Sequence, residues 1–452
     1  MHRYLYLWLP FVAASFSQVY SQQQPAAFDP RLYAIADSVS PVRIEDYVHK
    51  LVSFGTRHTL SDTSSDTRGI GAARRWIKAE FERTSVECGG CLEVSYLRTL
   101  VPAGTNGRIF EDVWVVSVIA IQRGDKYPDR FIIMSGDIDS RITDPNNATD
   151  DSPGANDNAS GMAGTIEAAR VLTRYRFPTS IVFAALAGEE QGLFGGAHLA
   201  AVAVEEGWDV VGVLNNDMIG NIEGGDGVID NRTFRIFSEP TPVTEPEETL
   251  RRRRYTGGEV DGTSRQLARY VDRMTSLYLP QLTPMMIYRL DRFGRGGHHR
   301  PFNDAGFAGV RIMEAHENYT RQHQDVRMED GIAYGDVMDG VNFDYAANLT
   351  RVNAIALAGL AWAPPEPDTV WIGGAVQPST RLRWTAVDDE HLAGYKIYWR
   401  DTTAPQWQYS RVVRSDTTYT LEGIVIDNYL FGVVSVGKDG NESVVVFPIA
   451  GY

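Results

Sequence analysis

The sequence predicts an α/β protein, a mostly parallel sheet flanked by helices, followed by a small all-β sandwich. Three observations carry that expectation. Between Val113 and Ala361, short β-rich apolar runs alternate with helical patterns, as in a parallel sheet covered on both faces. At Pro364-Pro365-Glu366-Pro367 the alternation stops at a stiff, proline-rich stretch. Beyond it, apolar and aromatic runs are separated by turn residues and show no helical period.

Taken in order, the chain begins with His2 and Arg3, an apolar run from Tyr4 to Phe16, and small residues at Ser17 and Ser21 suited to cleavage. This reads as a signal peptide over residues 1–21, which places the mature chain outside the cell or in a periplasm. The run is too short to span a bilayer, and no later stretch reaches the ~18 apolar residues of a membrane helix. Gly69–Glu82 reads as a helix and Leu92–Tyr96 as a strand, with Cys88-Gly89-Gly90-Cys91 between them. In an exported chain these two cysteines are expected to close a small structural disulfide. Strands follow at Val113–Ile121 and Phe131–Ser135, a helix at Gly161–Tyr175, a strand at Ser180–Leu186, a helix at Gly192–Glu206 and a strand at Val210–Leu214. Asn231 to Gly258, rich in Pro, Glu and Arg, reads as an excursion outside the sheet. Thr263–Leu279 is a helix, Gly309–Met313 a strand, and Val337–Leu360 one or two closing helices. The tail contributes strands at Leu382–Trp384, Tyr395–Trp399, Tyr419–Leu421 and Leu430–Val436. The expected units are therefore 1–21, a catalytic-type domain over 31–363, and a sandwich over 368–452, with the last two separable at the linker.

Composition excludes several classes. A chain of 452 residues with 43% hydrophobic and 22% charged residues can fill a large core, so wholesale disorder is ruled out. Gly and Pro are scattered without a period, which excludes collagen-like architecture. A net charge of −15 argues against nucleic acid, which requires a basic footprint. The one dense basic run, Arg251 to Arg254, reads as a solvated face.

Five short stretches place acids or an imidazole beyond predicted strands: Gly136-Asp137-Ile138-Asp139-Ser140, Pro153-Gly154-Ala155-Asn156-Asp157-Asn158, Gly188-Glu189-Glu190, Asn215-Asn216-Asp217 and Gln322-His323-Gln324-Asp325. In an open α/β sheet the carboxyl ends of the strands form the ligand crevice. So many acids in one crevice repel one another unless cations neutralise them. Mixed oxygen and nitrogen donors suit Zn2+, Mn2+ or Co2+. The adjacent Glu189 and Glu190 can divide the work, one binding metal while the other takes a proton from attacking water.

These motifs, together with Leu51-Val52-Ser53-Phe54-Gly55-Thr56-Arg57 and Ala187-Gly188-Glu189-Glu190-Gln191-Gly192, resemble the co-catalytic di-zinc aminopeptidases, a family related to the glutaminyl cyclases. The resemblance runs from about Glu45 to Ala361. It implies a zinc-exopeptidase-like fold, a bridging carboxylate at Asp157 before a cis Asp157–Asn158 bond, and a second site completed by Glu190 and His323. It further implies Asp217 as a ligand of the first metal and Glu189 as general base. The order of residues around Trp384, Tyr395–Trp399, Tyr419 and Val434–Asn441 resembles a fibronectin type III domain.

Two positions depart from the family pattern. Where it has His-x-Asp, this chain has Asp137-Ile138-Asp139, so Asp137 is the candidate first-site ligand and Asp139, which would orient the missing His, is the second catalytic candidate. Where it has Asp-His, this chain has His298-His299, so His298 is the available substitute imidazole. The leading expectation is a secreted metal-dependent aminopeptidase acting on peptides, with one or two Zn2+ per chain and Mn2+ or Co2+ as alternatives at the first site. A one-metal acyl transferase resembling glutaminyl cyclase is the second reading, and a non-catalytic binding protein the third. No nucleic-acid partner or membrane span is expected. Attachment to a surface or polymer is assigned to the C-terminal domain by analogy of fold.

Overall fold

The computed structural model describes residues 28–451; the expected signal peptide lies outside them. Eight strands form the main sheet: β1 (Leu92–Val101), β2 (Val113–Gln122), β3 (Tyr127–Asp137), β4 (Thr179–Leu186), β5 (Asp209–Asn216), β6 (Thr233–Ser238), β7 (Thr283–Ile287) and β8 (Gly309–Glu314). They lie in the order β1-β2-β4-β3-β5-β8-β6-β7. The central strands β4, β3, β5 and β8 are parallel, while β1 and β2 on one side and β6 against β8 on the other pair antiparallel. Burial along β4 is complete, as a strand covered on both faces requires.

The main core lies between one face of this sheet and a helical layer. Helix Phe343–Trp362 is buried along almost its whole length. It packs beside helix Gly161–Leu172, every residue of which is buried. The opposite face carries a smaller core around Phe131, Val182, Leu199 and Phe302. Among the described residues no helix is long and apolar enough to cross a membrane. Cys88 and Cys91 are joined, closing the turn between helix Gly69–Glu87 and β1.

Two local expectations need correction. Asn231–Gly258 is not wholly an excursion, because Thr233–Ser238 is β6, hydrogen-bonded to both β7 and β8. Arg235 interrupts its apolar run and hides the strand in the sequence. Its neighbour β7 carries Pro284, which suits an edge strand. The helix expected over Gly192–Glu206 starts later than expected, running Phe194–Glu205, and a separate turn, Glu189–Gly192, precedes it across Leu193 at φ 61°.

The C-terminal unit is a sandwich of a four-stranded sheet (Thr418–Leu421, Thr380–Trp384, Val370–Gly373, Ile449–Ala450) and a three-stranded one (Tyr409–Val413, Leu392–Asp401, Tyr429–Gly437). Ion pairs seat it on the rest of the chain across the proline-rich stretch. Asp261 is fully buried between Arg269 Nη1 at 2.6 Å and Arg400 Nη2 of the sandwich at 2.8 Å. Glu442 of the sandwich pairs with Arg273 at 2.5 Å and accepts from Tyr398 Oη at 2.7 Å and from Lys396. Asn441 Nδ2 donates to Asp29 Oδ2 at 2.8 Å, and Glu366 within the proline-rich stretch pairs with Arg130. A proline-rich segment is stiff, and here stiffness fixes the sandwich against its neighbour instead of freeing it.

Candidate metal centre

The crevice lies at the carboxyl ends of β3, β4, β5 and β8, the place where an open α/β sheet binds ligands. Close backbone approach brings Asp157 over the sheet end. A Cβ on Gly136 would meet Gly161 backbone at 2.7 Å, and one on Gly161 would meet Asn216 O at 2.3 Å. Only glycines let the helical turn Ala155–Ser160 sit there. The Asp157–Asn158 bond is cis. The carboxylate of Asp336 receives the backbone N–H groups of Asn156 (2.9 Å) and Asp157 (2.7 Å), fixing the acid from behind. Arg57, with no exposed surface, donates to the carbonyls of Ile138, Pro153 and Gly154 and so ties two crevice loops together.

Three of the expected ligands converge. His323 Nε2 lies 2.9 Å from Asp157 Oδ2 and 3.0 Å from Glu190 Oε1. Among the described residues these are the only three carboxylate, imidazole or thiolate groups whose ligand atoms all lie within 4.8 Å of one another. Tetrahedral zinc sits ~2.0–2.2 Å from such atoms, so neighbouring ligands would stand ~3.3–3.6 Å apart, and a slight opening of this cluster would admit the ion. A donor set of two carboxylates and one imidazole suits zinc and leaves a fourth position for water or substrate. Arg141 crosses the mouth, donating from Nε to Glu190 Oε2 at 2.8 Å, with Nη2 2.6 Å from His323 Nδ1.

The electrostatics follow from burial against opposite charge. Burial pushes Asp157 and Glu190 up, but the His323 imidazole overrides it and holds both below the usual carboxylate range. Burial pulls His323 down, yet the same two acids raise it to about 9. Glu189 is pushed well above the ordinary value by burial and by the charges of Glu190, Asp217, Asp137 and Asp157. Such a surplus of buried negative charge is what a bound cation relieves.

The remaining predicted residues sit elsewhere in the crevice. Asp139 does not face a ligand. Its Oδ1 accepts from the backbone N–H of Glu189 at 3.2 Å and its Oδ2 from that of Glu190 at 2.9 Å, so it fixes the turn that presents both glutamates. Asp137 lies outside the converging trio. Asn158 Nδ2 donates to its Oδ2 at 2.7 Å, and His298 Nδ1 lies 2.5 Å from its Oδ1. Asp217 is also outside it, with Oδ2 3.0 Å from Arg311 Nη2. Burial raises Asp137 to about 8 and Asp217 well above the ordinary value. The short reach of Asp137 explains its placement, since an imidazole there would project further into the crevice than a carboxylate does.

Sequence reasoning missed Arg311, Asp336 and Arg141. Arg311 had a signal, because an arginine inside the apolar strand Gly309-Val310-Arg311-Ile312-Met313 has no place in a dry core without an acidic partner. Asp336 and Arg141 had none.

The chain's likenesses agree with this geometry. Residues 117–334 match Peptidase family M28. A protein of Leptosphaeria maculans described as a probable zinc metalloprotease is 40% identical over 424 residues, covering 94% of this chain and 98% of that protein. One of Pyrenophora tritici-repentis with the same description is 38% identical, covering 93% and 98%. Among solved structures, the LapA aminopeptidase of Legionella pneumophila has a TM-score of 0.52 at 20% identity, covering 75% of this chain and 78% of that one. A glutaminyl cyclase of Macrostomum lignano has 0.51 at 13%, covering 74% and 94%. Both share the α/β fold. With relatives matched over nearly their whole length and the family match spanning the ligand trio, this chain belongs to peptidase family M28.

Proposed function

We propose that the chain is a secreted, zinc-dependent aminopeptidase. The observation that carries this is the convergence of Asp157, Glu190 and His323 beside a second glutamate, Glu189, on the same helical turn. Asp157, Glu190 and His323 would hold the zinc, which would supply a Lewis acid to polarise the scissile carbonyl and acidify water. Glu189 accepts the proton of the attacking water and delivers it to the leaving amine nitrogen. Asp139 keeps Glu189 in reach by holding its backbone, and Asp336 does the same for Asp157. Release of terminal residues is the reading that the resemblance to the di-zinc aminopeptidases favours. Secretion is supported by the apolar segment within residues 1–21 and by the Cys88–Cys91 disulfide. The seven-stranded sandwich is proposed as a fibronectin type III-like module that attaches the enzyme to a surface or polymer.

The test is amine release from aminoacyl-arylamides, abolished by a chelator and restored by Zn2+. Glu189→Gln should keep its metal yet lose ~10²–10⁴ in rate, the contribution of a positioned proton acceptor. Equal rates in wild type and Glu189→Gln would refute the mechanism. A second reading, glutaminyl cyclisation, is favoured by the single ligand trio. Mass spectrometry of a Gln-terminated peptide separates the two, since cyclisation loses ammonia and hydrolysis loses a residue.

A further inference from the structure

We propose that the guanidinium of Arg311 takes the place of a second metal ion, which makes this crevice a one-metal centre on Asp157, Glu190 and His323. The inference rests on the zinc reading above and concerns the half of the crevice that reading leaves unused.

A second ion would need Asp137, Asp217 and a share of Asp157. Asp217 already directs Oδ2 at Arg311 Nη2, 3.0 Å away. Asp137 has both oxygens engaged, one by Asn158 and the other by His298. Asp217 Oδ1 and His298 Nε2 are buried without a partner. They are the atoms a second ion would seek, yet among the described residues no third acidic, imidazole or thiol group joins them within 4.8 Å. The donor set on this side does not fit a metal.

Arg311 is built for the position. It stands on β8 opposite Asn215 of β5 and has no exposed surface. Its Nη1 is anchored by Asp291 at 3.1 Å and by the carbonyl of Gly296 at 3.0 Å. That grip leaves Nη2 3.0 Å from Asp217 Oδ2 as an ion pair without hydrogen-bond geometry, and Nη2 and Nε are themselves buried with no hydrogen-bond partner. Arg292 lies alongside, held by Glu317 at 3.0 Å. A guanidinium keeps its charge under all conditions a folded protein meets. Burial opposes that charge, but Asp217 and Asp291 hold the proton more firmly than usual. In a water-poor crevice a fixed cation neutralises a carboxylate and repels a divalent ion brought beside it. Arg311 therefore does for the charge on Asp217 what an ion would do, without drawing one from solution. It acts through the acids it faces and is a positioning residue.

The experiment is a zinc count by native mass spectrometry after dialysis of the full chain against excess Zn2+, paired with zinc affinities from a chelator competition. Wild type should hold one zinc per chain. Asp217→Asn should also hold one, with affinity within ~3-fold of wild type, whereas His323→Ala should lose it. The double variant Asp137→His with Arg311→Met, checked for folding by circular dichroism, should hold two. Two zincs in wild type, with the second lost in Asp217→Asn, would overturn the role of Arg311 and leave the peptidase reading standing. So would a hundredfold weaker single site in Asp217→Asn, or a folded double variant that stays at one. No zinc in wild type would remove the zinc reading itself and this inference with it. Removal of Arg311 can unfold the chain, in which case the wild-type and Asp217→Asn counts decide alone.

Discussion

Replacing Asp261 by Ala should destabilise the whole molecule, because one buried carboxylate serves two buried guanidinium groups. Arg269 Nη1 stands 2.6 Å from Oδ1, and Arg400 Nη2 stands 3.0 Å from Oδ1 and 2.8 Å from Oδ2. The side chains of Arg269, Arg400 and Asp261 are 1%, 2% and 0% exposed, so water cannot take over the lost role. Breaking a fully buried pair by removing one partner costs ~3–5 kcal/mol. Here the removal also leaves two like charges facing one another. For a cooperative unit this large, at ~2.1 cal/mol/K of unfolding entropy per residue, each kcal/mol moves the melting temperature by about 1–1.5 °C, so a fall of roughly 3–7 °C is expected. Differential scanning fluorimetry and urea unfolding measure it. The companion variant, with Asp261→Leu, Arg269→Met and Arg400→Met together, should recover most of the loss, since an apolar replacement of a whole buried triad is often neutral. A loss below ~1 kcal/mol in Asp261→Ala would refute the reasoning, because it would mean these charges are solvated and the sandwich is not seated as described.

A chain ending at Ala363 should aggregate or melt at lower temperature than the full chain, because Arg273 loses Glu442 and Asp261 loses Arg400; light scattering and a melting curve check it. Asp336→Ala should weaken zinc binding ~10–100-fold, the usual effect of losing a partner behind a ligand, with Asp336→Asn recovering part of it in a chelator competition. Burial, against a weak bond from Asn303, raises Glu239 from the ordinary 4.5 to about 7. The folded chain then binds that proton more tightly than the unfolded one, so this group's contribution to stability falls as pH rises from 4.5 toward 7. Glu239→Gln should flatten that decline and be the more stable protein at pH 8, read by urea unfolding across the range.

The sequence was most informative where chemistry constrains residue type tightly. Asp157, Glu190 and His323 lie in acidic or imidazole stretches beyond predicted strands, and the resemblance to the di-zinc aminopeptidases is what singles them out among those stretches. The central strands were equally legible, since a strand covered on both faces is a plain apolar run. The paired departure at Asp137 and His298 was visible too. The structure shows these two side chains in contact, at 2.5 Å, although His298 meets the carboxylate and does not complete a ligand set. What escaped was set by tertiary partners. Thr233–Ser238 carries an arginine that its own segment does not explain, because the carbonyl it donates to, that of Glu314, lies on β8. Arg311 escaped because its partners, Asp217 and Asp291, are distant in sequence. The ion pairs that cross the linker were not legible for a similar reason. Proline content reports local stiffness, while the ions that seat the sandwich come from residues far away on both sides.

The ionic seam between sandwich and catalytic unit also bears on the order of synthesis. A ribosome delivers the crevice residues first, and domains tend to fold as they emerge. Arg273 must then wait for Glu442, and Asp29 for Asn441, a contact spanning 412 positions. Until those late residues arrive, the nascent peptidase carries charges that its interior can neither solvate nor match, so it stays loosely closed. A chain stopped before the sandwich is complete should therefore be looser and more readily degraded than the full one.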